Sequence, residues 1–385
     1  MYATKPLSLF KSHPEAASRP PPEGRNSGYL VVKGPDDGGD NETCCWGTCG
    51  GTRVRDLPFP QNRILTVRYT EHHGESSTTY ADAVVFVPVP DLPLSSNRYC
   101  PVIAKGKRRG LVRACSREED MVPCCFCRCI SDVDPRPFDP ADIYQQIEIV
   151  PRRRGRFTAR AVAPDGFPYF LYRKKCWRVY ASKPKDDSFD LIGEALGLNA
   201  ALRSRQLSSI LDAFPAAPAP AGTAVVVGKW YTPFFLVVEG GVAPREQMER
   251  GAFYEVTLDQ RWEPELHGHA HAAGVSSKVA CIRALIGGSV EAKQEATAGS
   301  SRRGDSGYVW FRAAATGQRV GVCASVWERM RWEEYRGGWV DEEEHAGKVA
   351  GGSVLVERFV VKRLDGSVVV AFDFVHLNKV RGKQL

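Results

Sequence analysis

Apolar positions in this chain fall in short runs rich in Val, Ile, Phe and Tyr, bounded by Gly, Pro, Asn or Asp. That is the texture of half-buried strands and not of long helices. In the first half the pattern predicts strands at 28–32, 64–69, 83–89, 99–104, 110–115 and 157–162. Residues 105–109 between two of these runs read as a basic hairpin tip. The stretch 167–180 reads as a short helix or strand carrying Phe170, Cys176 and Trp177 inward.

The texture changes between 182 and 222. Residues 183–188 form a polar bridge, and 189–214 favour helix, interrupted at Gly197 and Asn199, so two short helices are expected. The run Pro215-Ala-Ala-Pro-Ala-Pro-Ala-Gly222 cannot continue a helix and reads as a semi-stiff linker. Strand texture resumes at 224–227, 234–238, 253–258, 308–312 and 320–323. One helix follows, with a capping box at Ser325 to Glu328, an i,i+4 pair Arg329 and Glu333, and Gly337 at its end. The runs 354–364 and 367–376 flank Asp365-Gly366, a tight-turn signal, and place Val368, Val370, Phe372 and Phe374 on one buried face.

The fold class expected is therefore α+β, predominantly antiparallel β, in two β-rich domains joined by a short helical segment. The organisation expected is an extended arm over 1–26, rich in Pro and polar residues, and a Cys-rich basic β domain over 27–182. A helical segment and linker over 183–222 then lead to a β-rich domain with a terminal hairpin over 223–385. A length of 385 residues suits two such domains, and 43% hydrophobic with 25% charged residues is the balance of packed domains. Lys5, Pro6 and Lys11 break any early apolar run, so no signal-peptide core is expected. No stretch approaches the roughly 20 apolar residues that cross a bilayer. A cytoplasmic or nuclear setting follows as the expectation.

The net charge of +7 is unevenly spread, because residues 96–180 hold eighteen Lys or Arg against nine Asp or Glu. Three clusters stand out: Lys105, Lys107, Arg108 and Arg109; Arg152, Arg153, Arg154 and Arg156; and Arg173, Lys174 and Lys175. They could meet nucleic-acid phosphates or an anionic membrane surface, or simply be solvated loop charge. A nucleic-acid reader would gather them on one face, with Tyr169, Phe170 or Tyr172 exposed between them.

Nine of the twelve cysteines lie between residues 44 and 129. Cys45 and Cys49 enclose three residues, Cys124 and Cys127 two, and Cys125 and Cys129 three, which are ligand spacings of structural zinc. One pair from Cys44, Cys45 and Cys49 with another from Cys124, Cys125, Cys127 and Cys129 would complete a four-thiolate zinc site. Buried reduced thiols and redox or acylation chemistry are the alternatives. His267, His269 and His271 could share a face if extended, but their Gly and Ala neighbours read as an exposed loop.

No phosphate-cradling glycine loop, nucleophile elbow or helical zinc-protease pair is present in the sequence. The acids of 116–120 and 132–142 read as charge balance beside basic hairpins.

Several segments in order resemble the plant family of uncharacterised proteins known as DUF1262. They include Leu57-Pro-Phe-Pro-Gln-Asn62, Pro93-Leu-Ser-Ser-Asn-Arg98, Cys115-Ser-Arg-Glu-Glu-Asp120 and Cys124-Cys-Phe-Cys127. Pro135-Arg-Pro137, Asp142-Ile-Tyr-Gln-Gln146 and Ala163-Pro-Asp-Gly-Phe167 also fit, as do 254–262, 328–332, 356–359 and Asp365-Gly366. The resemblance implies an intracellular plant protein with a role in stress responses, and brings no catalytic or binding residues. The leading functional expectation is a non-catalytic interaction or scaffold protein with protein partners. A nucleic-acid-binding protein using the basic clusters of 105–175 and an enzyme of unrecognised class are the alternatives.

Overall fold

The computed structural model describes residues 1–34, 42–44, 49–51, 53–124, 127–182, 193–208, 224–264, 281–295, 306–337 and 349–384. Two sheets make up nearly all of it, both overwhelmingly antiparallel, as the strand texture predicts.

The smaller sheet contains β5 (Arg53–Val54), β6 (Leu65–His73), β7 (Ser76–Pro88), β8 (Arg98–Ile103), β11 (Ile147–Arg152), β12 (Arg156–Ala161) and β13 (Arg178–Ala181). Its order is β12-β11-β8-β7-β6-β13-β5. A short pairing of Phe157 with Trp177 joins β12 back to the start of β13, through two backbone hydrogen bonds of 2.9 and 3.1 Å. The sheet thus curls into a small barrel. Alternation along each strand turns Val67, Val84, Phe86, Tyr99, Phe157 and Val179 into its interior, where they pack on Phe59 and Trp177. The helix α2 (Phe170–Arg173) closes one side with Leu171 and Tyr172 buried. Of the three residues expected to point inward here, Trp177 does and Phe170 is half-buried. Cys176 is exposed, held at φ +74° in the turn that launches β13.

The larger sheet contains β1 (Tyr2–Pro6), β2 (Gly28–Val32), β14 (Gly197–Leu198), β15 (Val225–Pro233), β16 (Val237–Glu239), β17 (Phe253–Pro264) and β18 (Cys281–Ile286). It continues with β19 (Val290–Gln294), β20 (Tyr308–Ala313), β21 (Arg319–Cys323), β22 (Val349–Lys362) and β23 (Val368–Gln384). The order is β16-β21-β20-β19-β18-β23-β22-β17-β15-β1-β2, with β14 on β15. The terminal hairpin β22–β23 turns at Asp365-Gly366, where Gly366 has φ +86° and Ser367 donates to the Asp365 carboxylate. Val370, Phe372 and Phe374 are buried on the expected face, and the opposite face is buried as well, through Val369, Ala371 and Asp373.

The expected arm over 1–26 is corrected by this sheet. Tyr2–Pro6 is an inner strand, parallel to β2 and antiparallel to β15, with Met1, Tyr2 and Ala3 fully buried. Tyr2 donates its hydroxyl to the Pro88 carbonyl at 2.8 Å, and its ring occupies the space that a Cβ at Gly28 would need. Five residues become a strand here because two neighbouring strands supply the ladder, which a polar, Pro-containing segment does not reveal by itself. After α1 (Leu7–Ser12), the segment around Glu23 crosses to the far end of the sheet.

The helix α5 (Ala324–Gly337) starts one residue before the expected cap, and Ser325 faces the Cys323 thiol at 3.3 Å instead. Of the expected helical segment, α3 (Ala200–Ser208) is described, whereas 183–192 and the Pro/Ala run 215–222 lie outside the described residues. The expected strand at 110–115 is reduced to single bridges at Val112. Between the two sheets lies one shared core. Val85, Val87, Val102 and Val112 from the outside of the barrel pack with Trp230, Phe235 and Met248 of the larger sheet and α4 (Pro244–Arg250). Among the described residues no helix is long and apolar enough to cross a membrane.

Candidate anion-binding site

The three basic clusters do not share a face. The 105–109 tip follows the C-terminal end of β8, whereas β11 pairs with β8 at Tyr99 and Arg98 and runs past its N-terminal end to the 152–156 tip. Acids neutralise two of the clusters. Arg108 pairs with Asp134 at 2.6 Å, Arg109 reaches the Met248 carbonyl, and Gly110 (φ +84°) lies against the Pro244 carbonyl of α4. Arg173 pairs with Asp132 at 2.9 Å and Lys174 with Glu71. The aromatic residues expected between the clusters are occupied too. Tyr172 is buried and donates to Asp82 at 2.8 Å, and the guanidinium of Arg113 covers Tyr169 at 3.8 Å.

The 152–156 cluster differs. Arg152 pairs with Arg156 across the β11–β12 hairpin, and Arg153 and Arg154 form its exposed tip. One residue on from the Phe157–Trp177 bridge, Arg156 of β12 neighbours Arg178 of β13, and Arg178 stands directly opposite Arg68 of β6. Their strand neighbours Phe157, Trp177, Val179 and Val67 point into the barrel, so Arg156, Arg178 and Arg68 point out. Tyr180, two residues from Arg178, lies on the same outer face, and Arg68 stacks over its ring at 5.0 Å. None of Arg68, Arg152, Arg153, Arg154, Arg156 or Arg178 forms an ion pair with an acid among the described residues.

Arg68 and Arg178 escaped the sequence reading. The alternation Leu65-Thr-Val-Arg-Tyr69 marks Arg68 as outward, but the pairing that brings three distant arginines into one row has no local signature.

Elsewhere charge is matched internally. Arg203 on α3 donates to both Glu357 oxygens at 2.8 Å and to Glu333 at 3.1 Å. Arg329 donates to Glu333 at 2.7 Å and Glu23 at 2.9 Å, and Gln260 and His376 complete the shell of Glu357. Burial alone would raise the Glu357 carboxyl, but His376 and Arg203 outweigh it and hold it at about 2. Burial dominates at Glu333 and raises it despite Arg329 and Arg203. Together these groups fasten the Glu23 segment, α3, α5 and the sheet. A shallow cleft of about 440 Å³ lies between Arg117, Arg128, Tyr144 and Asp165. Its groups also satisfy one another. Tyr144 donates to Asp165 at 2.9 Å, which raises its hydroxyl pKa, and Arg117 covers the Tyr144 ring at 4.0 Å.

The cysteine clusters lie on two small hairpins. In β3 (Glu42–Cys44) and β4 (Cys49–Gly51), Cys44 pairs with Cys49; in β9 (Met121–Cys124) and β10 (Cys127–Ile130), Cys124 pairs with Cys127. Cys127 is a free, exposed thiol, whereas Cys129 is in a disulfide and therefore offers no thiolate to a metal. Cys45 and Cys125, and the histidine run 267–271, lie outside the described residues. Among the described residues no three His, Cys, Asp or Glu side chains group as metal ligands.

No curated protein matches the sequence. Among solved structures, one titled "Crystal structure of Cry35Ab1" aligns with a TM-score of 0.39 and 8% identity, covering 84% of this chain and 90% of that one. A family model described as "Protein of unknown function (DUF1262)" matches residues 23–126, from the Glu23 segment to the Cys124 hairpin, and over that stretch the chain belongs to this family.

Proposed function

We propose that this protein is a non-catalytic interaction protein whose barrel presents an arginine face to an anionic partner. The observation that carries the reading is the uncompensated row Arg156, Arg178 and Arg68, continued by the 152–154 tip, in a molecule that pairs its other two basic clusters with acids. Like charges directly opposite one another across strands destabilise a sheet. Arg178 opposite Arg68 is therefore a poor choice for folding alone, and a partner's negative charge would relieve it. An anionic partner suits the cytoplasmic or nuclear setting expected above.

Retention of the full chain on a heparin column tests this. The wild type should be retained and elute with added salt, and R68Q/R156Q/R178Q should elute earlier. Equal elution of the two would overturn the reading.

A further inference from the structure

The arginine face carries more information than its sign. Resting on the reading that it binds an anionic partner, we infer that the partner is single-stranded nucleic acid, with bases stacked at the Arg68–Tyr180 pair and phosphates held by Arg156, Arg178 and the 152–154 tip.

Three observations favour this ligand. Tyr180 is flanked on the same side of the barrel by Arg178 along its own strand, by Arg68 opposite on β6 and by Arg53 opposite on β5. An aromatic ring among guanidinium groups is the composition of a platform for unpaired bases, which stack on aromatic rings or on Arg planes. The Arg68 guanidinium lies 5.0 Å from the Tyr180 ring centre and Arg68 is exposed, so this stack is already assembled.

The second observation is width. Arg156, Arg178 and Arg68 occupy three successive strands, at roughly 4.8 Å per strand, so three cations stand within about 10 Å on a broad sheet surface. A duplex major groove admits a helix or a two-stranded ribbon, and a wider sheet surface does not enter it. An extended strand with splayed bases can lie on such a surface, as it does on sheet-type RNA readers.

The third is the absence of an apolar anchor on this face. Among the described residues the exposed large hydrophobic side chains are Val122, Ile143, Leu196, Val226, Trp332 and Tyr335, and none belongs to β6, β12 or β13. Membrane-surface binding by arginines gains strength from apolar side chains entering the headgroup boundary, and this row has none beside it.

The test is fluorescence anisotropy of the full chain with labelled single-stranded RNA and DNA of roughly a dozen nucleotides. The same RNA as a duplex and anionic phosphatidylserine vesicles serve as competitors. Single strands should bind and outcompete both. R68Q/R156Q/R178Q should weaken binding at least tenfold and lower the slope of log affinity against log salt by about 2, from roughly 0.7 per phosphate contact. Y180L, which keeps the charge, should weaken binding about tenfold with the slope unchanged. Circular dichroism and the unfolding midpoint should show both variants folded. Duplex or vesicles outcompeting single strands, or an unaffected Y180L, would overturn the inference while heparin retention still supports the broader reading. Loss of heparin retention and of all nucleic-acid binding would overturn both.

Discussion

Glu357 has no solvent-accessible side-chain surface and accepts from Arg203, Gln260 and His376, so its ionised form is tied to the folded state. Its carboxyl falls from 4.5 to about 2 on folding, a depressed value. Its stabilisation is therefore fully present above about pH 4.5, and is lost as pH falls toward 2. The shift corresponds to stability on the order of 3 kcal/mol, and removing one partner of a buried ion pair costs about the same. Glu357→Gln should lower the unfolding free energy by roughly that amount at pH 7 in urea titrations. The deficit should shrink between about pH 4.5 and 2, and one that stays constant through this window would contradict the account. At this scale the sequence is partly legible. Arg329 and Glu333 pair at 2.7 Å as their i,i+4 spacing predicts. Arg203 and Glu357 are 154 residues apart, and nothing local announces their contact.

Among the elements, strands were the most legible feature, because alternation and turn residues are local. The strand 28–32 matches its expected bounds, and the terminal hairpin turns at Asp365-Gly366 as expected, though it runs further at both ends. What could not be read was which strands pair, and hence that the segment at 2–6 is an inner strand. The Leu57-Pro-Phe-Pro-Gln-Asn62 motif has a physical role of the same non-local kind. Phe59 fills the barrel, while Gln61 and Asn62 finish the open edge of β2. Gln61 accepts from the Val31 amide at 2.6 Å and its own amide N–H donates to the Val31 carbonyl, and Asn62 both accepts from and donates to Lys33. Gln61→Leu leaves the Val31 amide without its acceptor in a buried position. It should destabilise the chain by about 1–3 kcal/mol in chemical denaturation. An unchanged midpoint would show that the edge does not depend on this clip.

On the scale of the whole molecule, one core holds the barrel to the larger sheet, and the two should unfold together. Val85 and Val102 of the barrel lie in the same apolar cluster as Trp230 and Met248. Gly110 reinforces the junction. Its φ of +84° and its contact with the Pro244 carbonyl leave no room for a side chain, so Gly110→Ala should lower the thermal midpoint by several degrees. Far-UV dichroism and tryptophan fluorescence should give coincident thermal transitions. Two separated transitions would mean that the barrel and the larger sheet are independent.

The same whole-molecule view defines the claim that matters most, because a face and not the overall charge of +7 is held to bind the partner. The direct measurement compares two variants that each lose three positive charges. One, R68Q/R156Q/R178Q, empties the row on the outer face of the barrel. The other, K105Q/K107Q/R108Q, alters the tip where Arg108 is already paired with Asp134. The salt concentration at which each elutes from heparin is read against wild type. The account predicts much earlier elution for the first variant and near-wild-type elution for the second. Equal losses in both would show that net charge alone governs binding, and would contradict a dedicated arginine face.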